Sequence, residues 1–507
     1  MKVVVGYPPI ESAKGVPLLS QNRQFQYFNA PTYIYPMVPA SAASNIKANG
    51  YDVVWMDGIA EKQSYDDWEH QLMEENPDIL LMETKCPVIK QHWRIAARLR
   101  ERLPSLLQVW VGDHVTWLPQ ETFDEAPVDC IITGGDYDFL IIDLIAHLTG
   151  NAPLPPGFWF PAGHARLSSE TAELHTTHKG LQLKTTGPAR LTHDLDTLPF
   201  IDRDLTRWEL YAYENGNYKY TPGTYVYSGR DCWWNKCTFC VWDHTLNPPG
   251  TYRTFSPERL FAEVKHIVDN YPVKEIFDDA GTMFAGKRLR RFCELMIESG
   301  YNKKVVLGCN MRFDGANAEL YQLMRKANFR FILYGLESAN QVTLDRIDKG
   351  LTPETIEAGA RLCKQAGLEP HVTVMLGYPW ESVDDAQHTI DFARALFKKG
   401  YIDTLQATIC IPYPGTPLYR ECRENGWLLT EEYEKYDMRK PVMKTPLTDA
   451  QMMKFTQQLY KSFLSPAFII RKILSVRNWQ DIRFLFMAGA RVIGHLLDFN
   501  PRQKDKC

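Results

Sequence analysis

At 507 residues the chain exceeds one ordinary core, and 45% apolar with 23% charged residues is the make-up of a globular protein of roughly two to four domains. A net charge of −4 gives no electrostatic case for nucleic acid, whose phosphates are bound through clustered Lys and Arg. The eleven cysteines are odd in number and eight are scattered singly, which argues against a secreted disulfide framework and for a reducing cytoplasm.

The chain opens on "KVVVGYP", a predicted strand whose apolar run is too short for a signal-peptide core. A predicted helix, "VPASAASNIKANG", closes at Gly50. The strands "YDVVWMD", "DILLMET", "LQVWVGD" and "DCIITGG" follow, separated by segments of helical period such as "KQHWRIAARLRERLP". Alternation of this kind predicts a doubly wound parallel sheet over residues 1–150, with a ligand outside the carboxyl ends of its strands. Those ends are rich in glycine and small polar residues: "YPPIESAKG", "MDG", "ETK", "GDHVT" and "GGDYD".

Residues 151–222 lose the periodicity and gain proline and glycine, and their aromatics predict a linker docked between two domains. From 223 to 425 the strands "GTYVYSG", "EIFDDAG", "VVLGCNMRF", "FRFILYGLES", "HVTVMLGYP" and "TLQATICIP" alternate with helices. Ser256 and Thr352, each before a proline, are the expected N-caps of two of those helices. Six such units predict a (β/α)6 partial barrel with its chemistry at the carboxyl ends. Residues 426–507 are predicted helical. Leu464 to Lys506 carries eight Lys and Arg against three Asp, in a basic amphipathic pattern that packs on the barrel or touches a membrane surface. No run reaches the ~18 apolar residues of a transmembrane helix.

Directly after the first barrel strand stands "SGRDCWWNKCTFCVWDHT", with Cys232, Cys237 and Cys240 within nine residues. Three thiols cannot all pair with one another, and thiolates are soft ligands for zinc or iron–sulfur clusters. A closed zinc site wants a fourth ligand, for which His244 is the candidate. Three cysteines on a cluster leave one iron open, which suits catalysis.

The run Cys237-Thr-Phe-Cys240, in a loop after the first strand of a (β/α)6 unit, resembles the radical S-adenosylmethionine (radical SAM) superfamily. Further stretches, "FDDAGTMF", "GLESANQVTLDRIDKGLTPE", "LGYPWES" and "PYPGTPLY", with "YPP", "GDHVT" and "GGDYD" before the barrel, resemble its cobalamin-dependent branch in that order. The spacing departs from the family's C-x3-C-x2-C by one residue between Cys232 and Cys237. The resemblance implies a [4Fe–4S] cluster on Cys232, Cys237 and Cys240, with SAM on the open iron and Phe239 near the adenine. An external electron donor such as flavodoxin or ferredoxin would reduce the cluster, SAM would be cleaved to a 5′-deoxyadenosyl radical, and residues 1–150 would bind cobalamin. The chain holds no D-x-H-x-x-G, so the cobalamin is expected base-off, without a histidine on cobalt.

Candidate SAM contacts are Asp278 and Asp279 after the second barrel strand, Arg312 after the third and Glu337 after the fourth; helix capping or a salt bridge inside the barrel are the alternatives. Candidate cobalamin contacts are Tyr7, Pro8, Asp113, His114, Val115, Thr116, Gly134 and Gly135, with His114 expected as a loop residue rather than a ligand. Tyr7 and Pro8, like Trp233 and Trp234, either line the corrin or substrate cavity or belong to an aromatic core. The resemblance implies methylation of an unactivated carbon of a small or lipid-like substrate. Its alternative is cyclisation, oxidation or rearrangement with the same cofactors. A zinc-bound scaffold without catalysis is the reading from another class.

Overall fold

The structure, a computed structural model, describes residues 1–18, 25–28, 31–150 and 152–474, together with 476, 482, 485, 486 and 489. Uninterrupted apolar runs become parallel strands here because helices cover both their faces. In the N-terminal half these are β1 (Lys2–Tyr7), β2 (Asp52–Asp57), β3 (Ile79–Glu83), β4 (Leu107–Val111) and β5 (Cys130–Ile132). They pair in parallel in the order β2-β1-β3-β4-β5. The order reverses between β1 and β3, and the crevice beyond those two carboxyl ends is where such a sheet takes a ligand. The first helix, Met37–Ala48, stops as expected: Gly50, at φ +81°, donates its N–H to the Lys47 carbonyl.

This sheet does not end at residue 150. The segment 151–222, expected as a linker, supplies β6 (Phe158–Pro161), β7 (Glu173–Thr176) and β8 (Gln182–Thr185), and the order continues β5-β6-β8-β7 with every pair antiparallel. They cover an edge of β5 whose backbone donors and acceptors would otherwise lie open. The remainder of the segment ties the two halves together. Tyr211 donates its hydroxyl to Asp57 Oδ2 (2.6 Å), and Asn215 Nδ2 reaches both the Tyr33 carbonyl (2.7 Å) and the Tyr225 hydroxyl (2.9 Å).

The second sheet holds β9 (Gly223–Val226), β10 (Glu275–Asp278), β11 (Val306–Met311), β12 (Phe329–Glu337), β13 (Glu369–Leu376) and β14 (Thr404–Ile409), in chain order and all parallel. This is the arc of a six-strand partial barrel. Ser256 and Thr352 accept the N–H of Arg259 and Thr355, with proline at the first helical turn in both cases, a cap that contributes about 1 kcal/mol. Ile276, Leu307, Ile332, Val372 and Val374 are fully buried, and each stabilises the fold by about 1.5–3 kcal/mol. At the amino ends of the strands Arg330 bonds Glu275 (Nη2, 2.5 Å) and Glu369 (Nη1, 2.7 Å), closing the barrel floor.

The helix Asp449–Lys461 begins at a capping box between Thr448 and Gln451, and Phe468 of the helix Pro466–Leu474 packs on Phe397 and Phe463. Most of the basic tail beyond Leu474 lies outside the described residues. Among the described residues no helix is long and apolar enough to cross a membrane.

Candidate active site

The cysteines stand where β9 runs out at the mouth of the arc. A short ribbon, Gly229–Arg230 paired with Arg253–Thr254, closes the base of their loop. The loop is pinned to the barrel at several points. Thr238 donates its N–H to the Ile347 carbonyl (3.0 Å), Leu418 donates to the Thr238 carbonyl (3.0 Å), and Trp234 Nε1 donates to the Asp348 carbonyl (2.6 Å). Cys237 is buried, while Cys232, Phe239 and Cys240 are half-buried. Burial pushes the Cys232 thiol up to about 11 and the Cys237 thiol up to about 12, although Lys349 and Arg312 pull Cys237 the other way. Binding of a metal centre must therefore displace protons from these sulfurs. Among the described residues no three His, Cys, Asp or Glu side chains are gathered tightly enough to hold a single metal ion. His244, the fourth ligand of the zinc alternative, has Nε2 3.1 Å from the Cys237 carbonyl oxygen, so that nitrogen donates to the backbone. Three soft thiols on one anchored loop fit a cluster with an open iron.

Behind the loop lies a charged group at the ends of β11 and β12. Glu337 adopts φ +64° after a register shift in β12 and pairs with Lys349 (2.9 Å), a residue that sequence reasoning missed. Strain of this kind in a non-glycine residue is held only where the surroundings over-determine it. Gly335 makes the pair possible, since a Cβ there would stand 2.0 Å from Glu337 Oε1. Burial works against the Lys349 ammonium, but Glu337 holds its pKa above the ordinary value. Arg312 donates to the Lys349 carbonyl (2.8 Å) and to both oxygens of Asp314 (3.0 Å each), and lies over the Trp234 ring at 4.2 Å. Arg312, Glu337 and Cys237 are thus one assembly.

Asp278 falls outside it. Its Oδ1 accepts from Ser228 N (2.7 Å) and its Oδ2 from Ser228 Oγ (2.6 Å), and burial raises its pKa to about 6 against those bonds. Both oxygens accept from Ser228, in the loop that follows β9. Asp279 is buried beside it, with its N–H on the Val226 carbonyl. The mouth does keep polar atoms for a ligand: Thr282 Oγ1, Tyr378 Oη, Tyr252 Oη and Trp233 Nε1 are buried and have no hydrogen-bond partner among the described residues. That pattern fits a polar molecule such as SAM.

In the first sheet the switch-point crevice holds Tyr7, whose hydroxyl donates to Glu83 Oε2 (2.5 Å), with Pro8 buried next to it. Burial raises the pKa of both Glu83 and Asp113, and Lys85 counters it in each case. Glu83 and Lys85 were not singled out from the sequence. Lys85 lies 5.6 Å from the Trp242 ring, two residues past Cys240, so the crevice borders the cysteine loop. His114 is buried with Nε2 3.3 Å from Glu121 Oε2 and its ring edge-on to Tyr433 at 4.8 Å. Val115 packs in one apolar cluster with Val241, Trp242 and Leu246. Thr116 Oγ1 accepts the Gly134 N–H (3.2 Å), and the Gly135 N–H donates to the Leu246 carbonyl (2.8 Å). Gly134 and Gly135 thus lie at the junction between the two sheets.

That junction is ionic at its centre. Arg230 donates to the Gly135 carbonyl (2.6 Å), to Asp136 (3.2 Å) and to Asp138 (2.6 Å). Arg253 forks onto both oxygens of Asp136 (2.7 Å each), and His193 Nδ1 lies 2.8 Å from the same carboxylate. Burial opposes the Asp136 charge, but His193, Arg253 and Arg230 hold its pKa well below the usual carboxylate range. Gly415, at φ +97° in the "PYPGTP" turn, completes the contact: a Cβ there would lie 2.4 Å from Thr245 and 3.2 Å from Trp117. The carboxyl ends of both sheets therefore face one another across the cysteine loop.

Comparison with known proteins agrees with this geometry. The family model of the Radical SAM superfamily matches residues 226–393. The chain is 26% identical to an uncharacterised methyltransferase of Pyrococcus horikoshii, covering 93% of this chain and 95% of that one. It is 25% identical to the anaerobic magnesium-protoporphyrin IX monomethyl ester cyclase of Cereibacter sphaeroides, over 87% of this chain and 68% of the cyclase. Its fold matches the cobalamin-dependent S-adenosylmethionine radical enzyme OxsB, solved with aqua-cobalamin and S-adenosylmethionine bound, at a TM-score of 0.68 and 15% identity over 98% of this chain and 72% of OxsB. The three thiols on the loop after the first strand of the six-strand arc fall within the residues that match the radical SAM superfamily model.

Proposed function

We propose that the chain is a cobalamin-dependent radical SAM enzyme that methylates an unactivated carbon of a small or lipid-like substrate. The observation that carries the reading is the apposition of the two carboxyl ends, with Lys85 beside Trp242 and Gly135 bonded to Leu246. Cofactors in two domains can act on one substrate only when their reactive atoms approach within a few ångströms, and these loops bring the two crevices to one place. When bound, the cluster supplies an electron for the cleavage of SAM, and cobalamin supplies a transferable methyl group.

Cys232, Cys237 and Cys240 would hold the cluster, with Phe239 beside the adenine. Arg312, Glu337 and Lys349 would orient the amino and carboxylate groups of SAM, and Thr282 and Tyr378 would bond its remaining polar atoms. Tyr7, Glu83 and Lys85 would meet cobalamin at the switch point. His114, whose buried ring nitrogens make no hydrogen bond among the described residues, would stay beside Glu121 and Tyr433 and leave cobalt without a protein nitrogen, so that cobalamin is held base-off. Trp233, Trp242 and Tyr378 would exclude water from the space between. A flavodoxin or ferredoxin would deliver the electron.

The test uses SAM with a deuterated methyl group, reduced cluster-loaded enzyme, cobalamin and a fractionated cell extract. A labelled product with both 5′-deoxyadenosine and S-adenosylhomocysteine is the expected result. Deoxyadenosine with an unlabelled product and no S-adenosylhomocysteine would sink methylation and favour cyclisation or oxidation, the reading supported by the similarity to the cyclase.

A further inference from the structure

Arg230 and Asp231 are neighbours in the chain and are held by different halves of the molecule. Arg230 is 2% exposed, and its guanidinium bonds the loop after β5 and the first turn of the helix Tyr137–Gly150 that follows: the Gly135 carbonyl, Asp136 and Asp138. Asp231 is bound within the barrel half. Its Oδ1 accepts from the Tyr227 hydroxyl (2.9 Å) and from Gly281 N (2.5 Å). Cys232 comes next. Any displacement of the first sheet against the barrel must therefore be absorbed within one residue of the first cysteine.

The second arm of the ribbon repeats the arrangement. Arg253, directly opposite Arg230, forks onto Asp136 and also donates to the His193 carbonyl (3.1 Å). Asp138 is tied back into its own half by Ser41 Oγ (2.8 Å), and Asp136 by His193, so the acidic loop is itself fixed. Two arginines at the base of the cysteine loop, Arg230 buried and Arg253 partly so, thus meet two buried aspartates of the other domain. Desolvated pairs of this kind add little net stability over apolar packing, but they are costly to break and specify one geometry. The planar guanidinium fork sets direction as well as distance, which an ammonium cannot do.

We propose that Arg230 and Arg253, with Asp136 and Asp138, form a latch through which the first domain sets the position and order of the cysteine loop. These are positioning residues, since none of them is a ligand. The proposal rests on the functional reading above, in which both domains serve one reaction. It assigns to "GGDYD" a mechanical role toward the cluster, beyond any contact with cobalamin.

The experiment uses the full chain without cofactors and follows amide hydrogen exchange in Asp138→Asn, an isosteric change in the first domain. Thr238 and Cys240, whose N–H groups bond the Ile347 and Cys237 carbonyls, report on the loop. Their exchange is expected to accelerate about tenfold or more, as for one lost charged hydrogen bond, while Leu307 and Cys309 of β11 keep their rates. In the cluster-loaded protein, iron should pass to a ferrous chelator faster by a similar factor. Arg230→Lys, which keeps the charge and loses the fork, should show an intermediate effect. Unchanged Thr238 and Cys240 rates in a folded Asp138→Asn chain overturn the latch. So does uniform acceleration of all amides in both variants, which would make the pair a plain stability element. Hydroxocobalamin titration of the unaltered chain separates the two claims: failure to bind removes the functional proposal, while the exchange rates still decide the latch.

Discussion

At the amino ends of the barrel strands Glu275 accepts from Arg330 Nε and Nη2 and from the N–H groups of Lys219 and Tyr220. At the carboxyl ends, the buried Thr282 and Tyr378 and the half-buried Tyr252 keep buried polar atoms with no partner among the described residues. The two ends use similar side chains under similar burial, so polarity alone does not separate floor from mouth. Saturation does. A buried unpaired hydroxyl costs about 1–3 kcal/mol, and a mouth that gathers several of them, against the Tyr218 hydroxyl near the floor, is holding places for a ligand.

The largest effect should come from the mouth. Replacing Cys232, Cys237 and Cys240 together with Ala is expected to abolish the broad absorbance of thiolate-bound iron near ~400 nm and all SAM cleavage. The apoprotein should unfold at a urea concentration close to that of the unaltered chain, and a triple variant that keeps its iron would refute the ligand assignment. The floor should respond in the opposite way. Arg330→Ala strands Glu275 without its countercharge and should cost about 3–5 kcal/mol in urea unfolding, with no specific loss of SAM affinity in whatever protein remains folded.

A smaller difference should appear with pH. Burial raises a carboxyl, but Arg330 and Lys219 hold Glu369 down at about 2, against an ordinary 4.5. A depressed carboxylate contributes stability that is full above pH 4.5 and is lost as pH falls toward 2. Urea midpoints measured across that window should fall less steeply in Glu369→Gln than in the unaltered chain, and parallel slopes would remove Glu369 from the account. The smallest effect is the most diagnostic. Tyr378→Phe deletes an unpaired hydroxyl, so apoprotein stability should stay level or rise by up to about 1 kcal/mol. Calorimetric SAM affinity should drop about tenfold, as for one lost hydrogen bond. Lower stability with unchanged affinity would place Tyr378 in the core instead.

The strands were legible because they are apolar runs with turn residues at their ends, and the three cysteines because their crowding has few chemical uses. Much of the rest depends on partners far apart in the chain. "GGDYD" reads as a glycine loop near a ligand, yet Asp136 and Asp138 are defined by Arg230, more than ninety residues away, and no local pattern marks that pair. Lys349 looks like a solvated charge after a helix until the bend at Glu337 turns a carboxylate toward it. Asp278 shows the reverse case: its position at the end of β10 suggests a ligand contact, and Ser228 of the adjacent loop donates to both its oxygens. Residues 158–185 escaped because Glu173–Thr176 is almost wholly exposed and has no apolar alternation, so its pairing comes from a neighbour's open edge rather than its own pattern.

That late pairing bears on how the chain is made. When residues 1–150 have left the ribosome, all five parallel strands exist, but β5 still presents a bare row of backbone groups. That edge is covered only after β6 emerges, and β8, which pairs with β6, must fold back past β7 to reach its place. Translation through this stretch is thus an interval in which a nascent sheet can pair with a neighbouring chain. The polar outer strand, Glu173–Thr176, then ends the sheet with an edge that invites no further strand.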